Sequence, residues 1–205
     1  MSAKIITVAN HKGGCGKTTT VVHLASELAH LGNKVLVIDL DPQANASLHI
    51  GIQHPSEIVV TTAELLLGDI SLLADALQEE TNFEKVSLIY GSLNLGKTED
   101  QLKEEAPRPS EELNIKLELL KDLYDFILID CPPSLKLLTS NALASSTHVI
   151  IPIESGSQYG LYGVTDLLNH LEKIRRINPD LELLGGLLIK HDERQNVCKL
   201  IRDEA

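Results

Sequence analysis

A glycine-rich segment near the start of the chain, HKGGCGKTTT at residues 11–20, carries residue types that bind phosphate. Gly16, Lys17 and Thr18 close the pattern G-x-x-x-x-G-K-[ST], in which backbone N–H groups surround the phosphates of a nucleotide. The segment departs from that pattern at one position, because His11 stands where the pattern asks for glycine.

The residue types in this segment divide the work of binding a triphosphate. Lys17 supplies a mobile cation for the β and γ phosphates, and Thr18 places a hydroxyl where Mg²⁺ would lie. The glycines let the backbone approach the phosphates closely, and the following helix offers its N-terminus to negative charge. These glycines are Gly13, Gly14 and Gly16. The alternative is a strand-to-helix turn without a ligand, but three glycines followed by Lys-Thr-Thr-Thr favour a phosphate-binding loop.

Carboxylates follow two other apolar runs. Asp130 comes directly after Phe-Ile-Leu-Ile at 126–129 and is suited to hold the magnesium of a nucleotide. It could instead be a helix N-cap. Asp39 and Asp41 follow the run at 35–38. Both could face a reactive water and a metal, or one could cap the next helix, and their spacing leaves these alternatives open.

The strands and helices that position these residues can be predicted from the pattern of apolar residues. Apolar, β-rich runs alternate with helical periodicity, which predicts an α/β fold: a mostly parallel twisted sheet with helices on both faces. The predicted strands are 5–9, 35–38, 126–129, 149–151 and 183–189, and the predicted helices are 17–31, 135–145 and 161–174. The chemistry-bearing residues then lie just past strand carboxyl ends, where open α/β sheets bind ligands. We predict a single domain, 1–205.

The composition excludes several classes of protein. With 43% hydrophobic and 23% charged residues among 205, the chain is typical of globular proteins. Its apolar runs are too short to span a bilayer and no export signal is visible, so we expect a cytoplasmic protein without membrane attachment. Three cysteines without C-x-x-C spacing argue against disulfides or zinc. Residues 97–112 hold two prolines and six acidic residues against three basic ones, which predicts a solvated loop or frayed helix.

The net charge of −11 speaks against a nucleic-acid partner. Its distribution is uneven, since residues 173–202 contain seven basic residues and four acidic ones. This basic excess is a weak signal.

Four segments together resemble the ParA/Soj/MinD family of deviant Walker-type ATPases, which share the P-loop NTPase fold. The segments are KGGCGKTT (12–19), VLVIDLDPQAN (35–45), FILIDCPPS (126–134) and IIPIESGSQYGLYGV (150–164). The resemblance is closest to the ParA (Soj-like) branch, runs from residue 3 to the end and is weakest between about 50 and 115. Its most specific element is the extra lysine, Lys12.

The resemblance implies ATP and Mg²⁺ as cofactors and a homodimer that sandwiches two ATP molecules. Lys12 is then expected to reach the phosphates of the partner's ATP, whereas Lys17 contacts its own, and Thr18 binds Mg²⁺. Thr19 would lie beside the α-phosphate. The nucleotide-binding residues implied are Lys12, Gly13, Gly14, Cys15, Gly16, Lys17, Thr18 and Thr19.

Outside the loop, the resemblance assigns hydrolysis to Asp41 together with the two lysines, places Asp39 near the metal and makes Asp130 the Walker B carboxylate. Arg194 resembles an arginine implicated in binding DNA without sequence preference. The family usually continues for several more elements, so we expect C-terminal elements to be missing here.

The implied function is ATP-dependent partition of plasmid or chromosomal DNA in a nucleoid-associated protein. The ATP dimer would bind DNA nonspecifically and be released when a ParB-like centromere-binding partner stimulates hydrolysis. The alternative on the same fold is a MinD-like scaffold that positions a membrane or protein cargo. An iron–sulfur carrier is a third class, but only Cys131 lies near a plausible interface and a second nearby cysteine is missing.

Overall fold

Within residues 2–155, 162–192, 194–196 and 198, which the computed structural model describes, the chain forms a seven-stranded sheet. The strands are β1 (Lys4–Val8), β2 (Val35–Asp39), β3 (Leu77–Gln78), β4 (Val86–Ile89), β5 (Phe126–Asp130), β6 (His148–Glu154) and β7 (Glu182–Ile189). Their order across the sheet is β3-β4-β2-β5-β1-β6-β7, and every pairing except β3–β4 is parallel. The predicted mostly parallel α/β fold is confirmed.

Helices cover both faces of this sheet. They are α1 (Lys17–His30), α2 (Asn45–Ile50), α3 (Thr62–Leu67), α4 (Leu73–Ala76), α5 (Leu95–Glu105), α6 (Glu112–Leu117), α7 (Leu137–Ser145) and α8 (Tyr162–Ile174), with 3-10 turns at Pro55–Glu57 and Ile70–Leu72. Alternate residues of the central strands enter opposite clusters: in β2, Val35 and Val37 pack with α1 and α2, whereas Leu36 and Ile38 pack with the helices of the other face. This period of two is expected for a sheet buried on both sides.

The prediction of a solvated loop or frayed helix for residues 97–112 is only partly right, because residues 97–105 form a regular helix that packs one face into the core. Residues up to Glu105 belong to α5, where Leu95 and Leu102 are fully buried and the carboxylate of Glu99 accepts a hydrogen bond from the backbone N–H of Leu138. Most of the charged residues lie on the solvent face of that helix, which masks its apolar stripe in a count of charges.

β6 continues past its predicted end through Pro152 to Glu154. Beyond Ile150 the strand pairs only with β7, so the missing N–H of Pro152 breaks no ladder bond toward β1. The extension carries Glu154 to the carboxyl edge of the sheet. Expectations for residue 161 and for the chain end at 199–205 lie outside the described residues. Among the residues described, no helix is long and apolar enough to cross a membrane.

Candidate active site

The glycine-rich loop connects β1 to α1, and two of its glycines adopt backbone angles that other residues avoid. Gly14 has φ 72° and Gly16 has φ 77°, both in the left-handed region. A Cβ on Gly16 would also lie 2.9 Å from Cδ1 of Ile189. These angles let the loop turn directly into α1. The N-terminus of a helix favours an anion, because its first N–H groups have no partner within the helix and its dipole is positive there.

The side chain of Lys17 points back into the loop. It is only 7% exposed, and its Nζ donates to the backbone carbonyl oxygen of Lys12 over 3.1 Å. The thiol of Cys15 donates to that same oxygen, also over 3.1 Å, and burial raises the pKa of this thiol so that it stays protonated. The ammonium of Lys17 is therefore held at the centre of the loop.

Thr18, the first threonine of α1, reaches the carboxylate at the end of β5. Its Oγ1 donates to Oδ2 of Asp130 over 2.6 Å. The other oxygen of Asp130, Oδ1, is buried and has no hydrogen-bond partner. Burial, and then the neighbouring charge of Asp39, raise the pKa of Asp130 well above its ordinary value. A buried carboxylate oxygen without a donor, beside a threonine hydroxyl, fits a hard divalent cation such as Mg²⁺.

Asp39 lies opposite Asp130 in the register of β2 and β5. Its Oδ2 accepts hydrogen bonds from the N–H (2.8 Å) and hydroxyl (2.7 Å) of Ser47, and its Oδ1 accepts one from the N–H of Asp41 (3.0 Å). Burial raises the pKa of Asp39 to about 6 despite these hydrogen bonds. The side chain thus anchors the turn after β2 and the start of α2, and a metal-binding role for it stays a prediction.

Asp41 is buried near the same edge of the sheet. Its Oδ1 accepts a hydrogen bond from the N–H of Gln43 over 2.9 Å, which closes the turn. The turn continues into Ala44, whose φ of 52° is unusual for a residue with a side chain. Asp41 has one carboxylate oxygen committed to this turn, and the role in hydrolysis assigned to it remains a prediction.

Asn10 is a site residue that the sequence patterns did not identify. Its Nδ2 donates to the carbonyl oxygen of Pro152 over 2.6 Å, and its Oδ1 accepts from the N–H of Lys12 over 3.0 Å. The side chain is buried and joins the start of the loop to the end of β6. The one feature of the sequence that could have identified Asn10 is its position between a predicted strand and the glycine-rich loop.

Lys12, the extra lysine, contacts a carboxylate that the sequence analysis also missed. Its Nζ lies 2.7 Å from Oε2 of Glu154, while Nζ of Lys190 lies 3.0 Å from Oε1 of the same carboxylate. Hydrogen bonds from the two lysines hold the pKa of Glu154 below its ordinary value. His11, which replaces the expected glycine, places Nδ1 3.5 Å from Oδ2 of Asp166 on α8.

The remaining predicted residues lie toward β7. Thr19 and Gly16 line an apolar cavity of about 670 Å³ between α1 and β7. Arg194 follows β7, is exposed, and donates from Nε and Nη2 to the two oxygens of Asp192, both over 2.9 Å. This pairing lowers the pKa of Asp192 to about 2. The guanidinium charge is thus balanced locally.

Comparison with known proteins shows the family to which the chain belongs. A family model described as an AAA domain matches residues 3–183. The sporulation initiation inhibitor protein Soj of Bacillus subtilis is 39% identical over 197 residues, covering 95% of this chain and 75% of Soj. The chromosome partitioning protein ParA of Myxococcus xanthus is 37% identical over 202 residues, covering 98% and 70%.

A solved structure has the same fold. The crystal structure of cobyrinic acid a,c-diamide synthase from Mycobacterium smegmatis with bound ADP and magnesium superposes with a TM-score of 0.91 at 33% identity. It covers 98% of this chain and 80% of that one.

Proposed function

Because the chain belongs to the ParA/Soj/MinD family of deviant Walker-type ATPases, we propose that it is an ATP-hydrolysing partition protein that works as an ATP-bound homodimer. The observation that carries the proposal is the contact between Thr18 and Asp130, with Oδ1 of Asp130 buried and unpartnered beside it. A similar protein holds ADP and magnesium on the same fold, which supports Mg·ATP as the ligand.

The residues of the loop have distinct parts in this reaction. When bound, Mg²⁺ offsets negative charge on the β and γ phosphates. Thr18 and Asp130 would hold it. Lys17 exchanges the carbonyl oxygen of Lys12 for phosphate oxygens, since its ammonium already lies at the centre of the loop. The apolar cavity beside Thr19 receives the nucleoside.

Hydrolysis also needs a group that orients the attacking water. Asp41 is the candidate, because it lies in the buried turn after β2, next to the strand that ends in Asp130. Its carboxylate accepts a hydrogen bond from the water and so fixes the direction of attack. Lys12 of each subunit completes the site of its partner, because its ammonium reaches across the interface to the triphosphate that the partner binds.

ATP-dependent self-association tests the proposal. We expect the wild-type protein to be monomeric with ADP and dimeric with ATP and Mg²⁺ when molar mass is measured by light scattering. Lys12→Ala should bind ATP with nearly wild-type affinity but remain monomeric, whereas Lys17→Ala should lose ATP binding. Asp41→Ala should slow turnover at least about tenfold and accumulate the dimer. A wild-type protein that stays monomeric with Mg·ATP contradicts the proposal.

DNA is the proposed cargo, bound without sequence preference near the nucleoid, and a ParB-like partner is the proposed stimulator of hydrolysis. Support comes from the similarity to the chromosome partitioning protein ParA of Myxococcus xanthus and from the basic excess around residues 173–202. We expect DNA binding only with ATP, and affinity should fall steeply between two salt concentrations because phosphate contacts release counterions. Arg194→Ala should weaken binding to all sequences alike. Binding that is independent of ATP would contradict this part.

A further inference from the structure

The carboxylate of Glu154 lies between two ammonium groups from different parts of the fold. Lys12, on the loop after β1, contacts Oε2, and Lys190, after β7, contacts Oε1. The side chains of Lys12 and Glu154 are 30% and 21% exposed, so the pair is partly shielded from water. One acidic group therefore links the loop, the end of β6 and the end of β7.

The fold keeps these three groups together. Glu154 is opposite Ile189 in the register of β6 and β7, so Lys190 follows immediately beside it. Lys190 has φ 51°, which turns the chain at the end of β7. On the other side, Asn10 ties the backbone of Lys12 to Pro152, two residues before Glu154. The backbone near Lys12 and the backbone near Glu154 are therefore both held in place, which keeps the two side chains in contact.

This contact bears on the cross-subunit role of Lys12 in the proposed function. An ammonium 2.7 Å from Glu154 of its own chain must leave that carboxylate to bind a triphosphate held by a partner subunit. The two contacts compete, so the free energy of the Lys12–Glu154 contact is subtracted from what Lys12 contributes to the ATP dimer.

We propose that Glu154 is a positioning residue that retains Lys12 on its own subunit and thereby raises the ATP concentration needed for dimerisation; the inference rests on the proposed function. Lys190 acts in the opposite direction. It remains paired with Glu154 after Lys12 leaves, so the carboxylate is not left without a cation and release of Lys12 is easier.

The two lysine partners lead to effects of opposite sign. Glu154→Gln keeps the size and polarity of the side chain but removes its charge, so the ATP concentration at half-maximal dimerisation should fall. Lys190→Gln removes one of the two lysines that contact Glu154, so Glu154 should hold Lys12 more tightly. The ATP concentration at half-maximal dimerisation should then rise. Ion pairs with this degree of exposure are worth about a two- to fivefold change in an equilibrium constant. A purely structural role for Glu154 would make dimerisation harder in both variants.

The experiment measures molar mass against ATP concentration at saturating Mg²⁺, and separately the affinity of the monomer for ATP. Monomer affinity should be unchanged in Glu154→Gln, and Glu154→Asp should stay closer to wild type. The matched control is Glu182→Gln, which removes a carboxylate paired with His148 (3.8 Å) near the opposite ends of β6 and β7. The control should dimerise like wild type.

Two failures can be told apart. If the wild-type protein does not dimerise with Mg·ATP, both the proposed function and this inference fall. If the wild type dimerises but Glu154→Gln needs as much ATP as wild type, or more, the inference alone is overturned. The same holds if Lys190→Gln needs less ATP than wild type.

Discussion

The hydroxyl of Thr18 donates a 2.6 Å hydrogen bond to Asp130, a residue 112 positions further along the chain. The two meet because β1 and β5 are parallel neighbours with Val8 opposite Asp130, so the loop after β1 begins level with the end of β5. Two sequence patterns that are separately ambiguous become one site through this pairing. The state of the Asp130 carboxylate then controls both the stability and the chemistry of the site.

Asp130→Asn should stabilise the nucleotide-free protein and impair its use of metal. Burial and the nearby charge of Asp39 raise the pKa of Asp130, so the ionised form is unfavourable without a cation. Removing the charge should raise the free energy of unfolding, measured by urea denaturation. Mg²⁺ should no longer strengthen ATP binding.

The control for this variant is Asp122→Asn, which neutralises an exposed carboxylate and should change neither property. A marked loss of stability in Asp130→Asn would show that the ionised carboxylate has a stabilising partner.

The stability of the nucleotide-free protein should depend on Asp39 in a defined pH window. Its pKa is raised from 3.8 to about 6, so the folded chain binds a proton that the unfolded chain has released. The stabilising contribution is fully present below about pH 4 and is lost as the pH rises through about 6, a fall on the order of 3 kcal/mol at most.

The measurement for this prediction is the free energy of unfolding at several pH values between 4 and 7. Carboxyl groups whose pKa is lowered, such as those of Glu64 and Asp192, change stability with pH in the opposite direction. The quantity to follow is therefore the difference in the free energy of unfolding between wild type and Asp39→Asn. That difference should change across the window; a constant difference contradicts the assignment.

Sequence patterns predicted the parts of this protein that depend on local residue order. The alternation of apolar runs and helical periodicity indicated the parallel sheet, whereas phosphate binding by the glycines, Lys17 and Thr18 stays a prediction. The buried face of α5 was not predicted, because the charges on its solvent face outnumber the leucines of its buried face. Its identity as a helix is decided by packing and not by local composition.

The unpredicted contacts of the site share a common cause. Asn10 bonds to Pro152, and Lys12 to Glu154, in both cases across 142 positions. Such contacts depend on which strands become neighbours and on how far β6 extends, which no short pattern records. Likewise, the spacing of Asp39 and Asp41 left their roles open, and the structure shows that Ser47 occupies one oxygen of Asp39.

Asn10→Ala should weaken both the fold and the loop. It removes the two hydrogen bonds that the buried Asn10 side chain makes to the carbonyl oxygen of Pro152 and the N–H of Lys12, which costs about 1–3 kcal/mol of folding free energy. The loop should also bind ATP more weakly, because its first residues lose their attachment to β6. Thermal denaturation and ATP titration measure the two effects.

Asn33→Ala serves as the comparison for Asn10→Ala. Asn33 donates from Nδ2 to the carbonyl oxygen of Leu28 over 2.9 Å at the end of α1, away from the loop. Its removal should lower stability by about 1 kcal/mol and leave ATP affinity unchanged. Equal losses of ATP affinity in both variants would indicate a general effect of destabilisation.

Gly16→Ala should weaken nucleotide binding, because the backbone angles of this position disfavour a side chain. The φ of 77° costs a residue with a Cβ about 1–2 kcal/mol, whereas the approach of the new methyl group to Cδ1 of Ile189 (2.9 Å) can be relieved by that side chain. The loop shifts to relieve the backbone strain, which misdirects its N–H groups. The matched control is Gly96→Ala in α5, where a Cβ meets open space and the substitution should stabilise the helix by up to about 1 kcal/mol. ATP titration and thermal denaturation of both variants show whether the loss is specific to the loop. Unchanged ATP binding in Gly16→Ala would show that the loop tolerates a different backbone path.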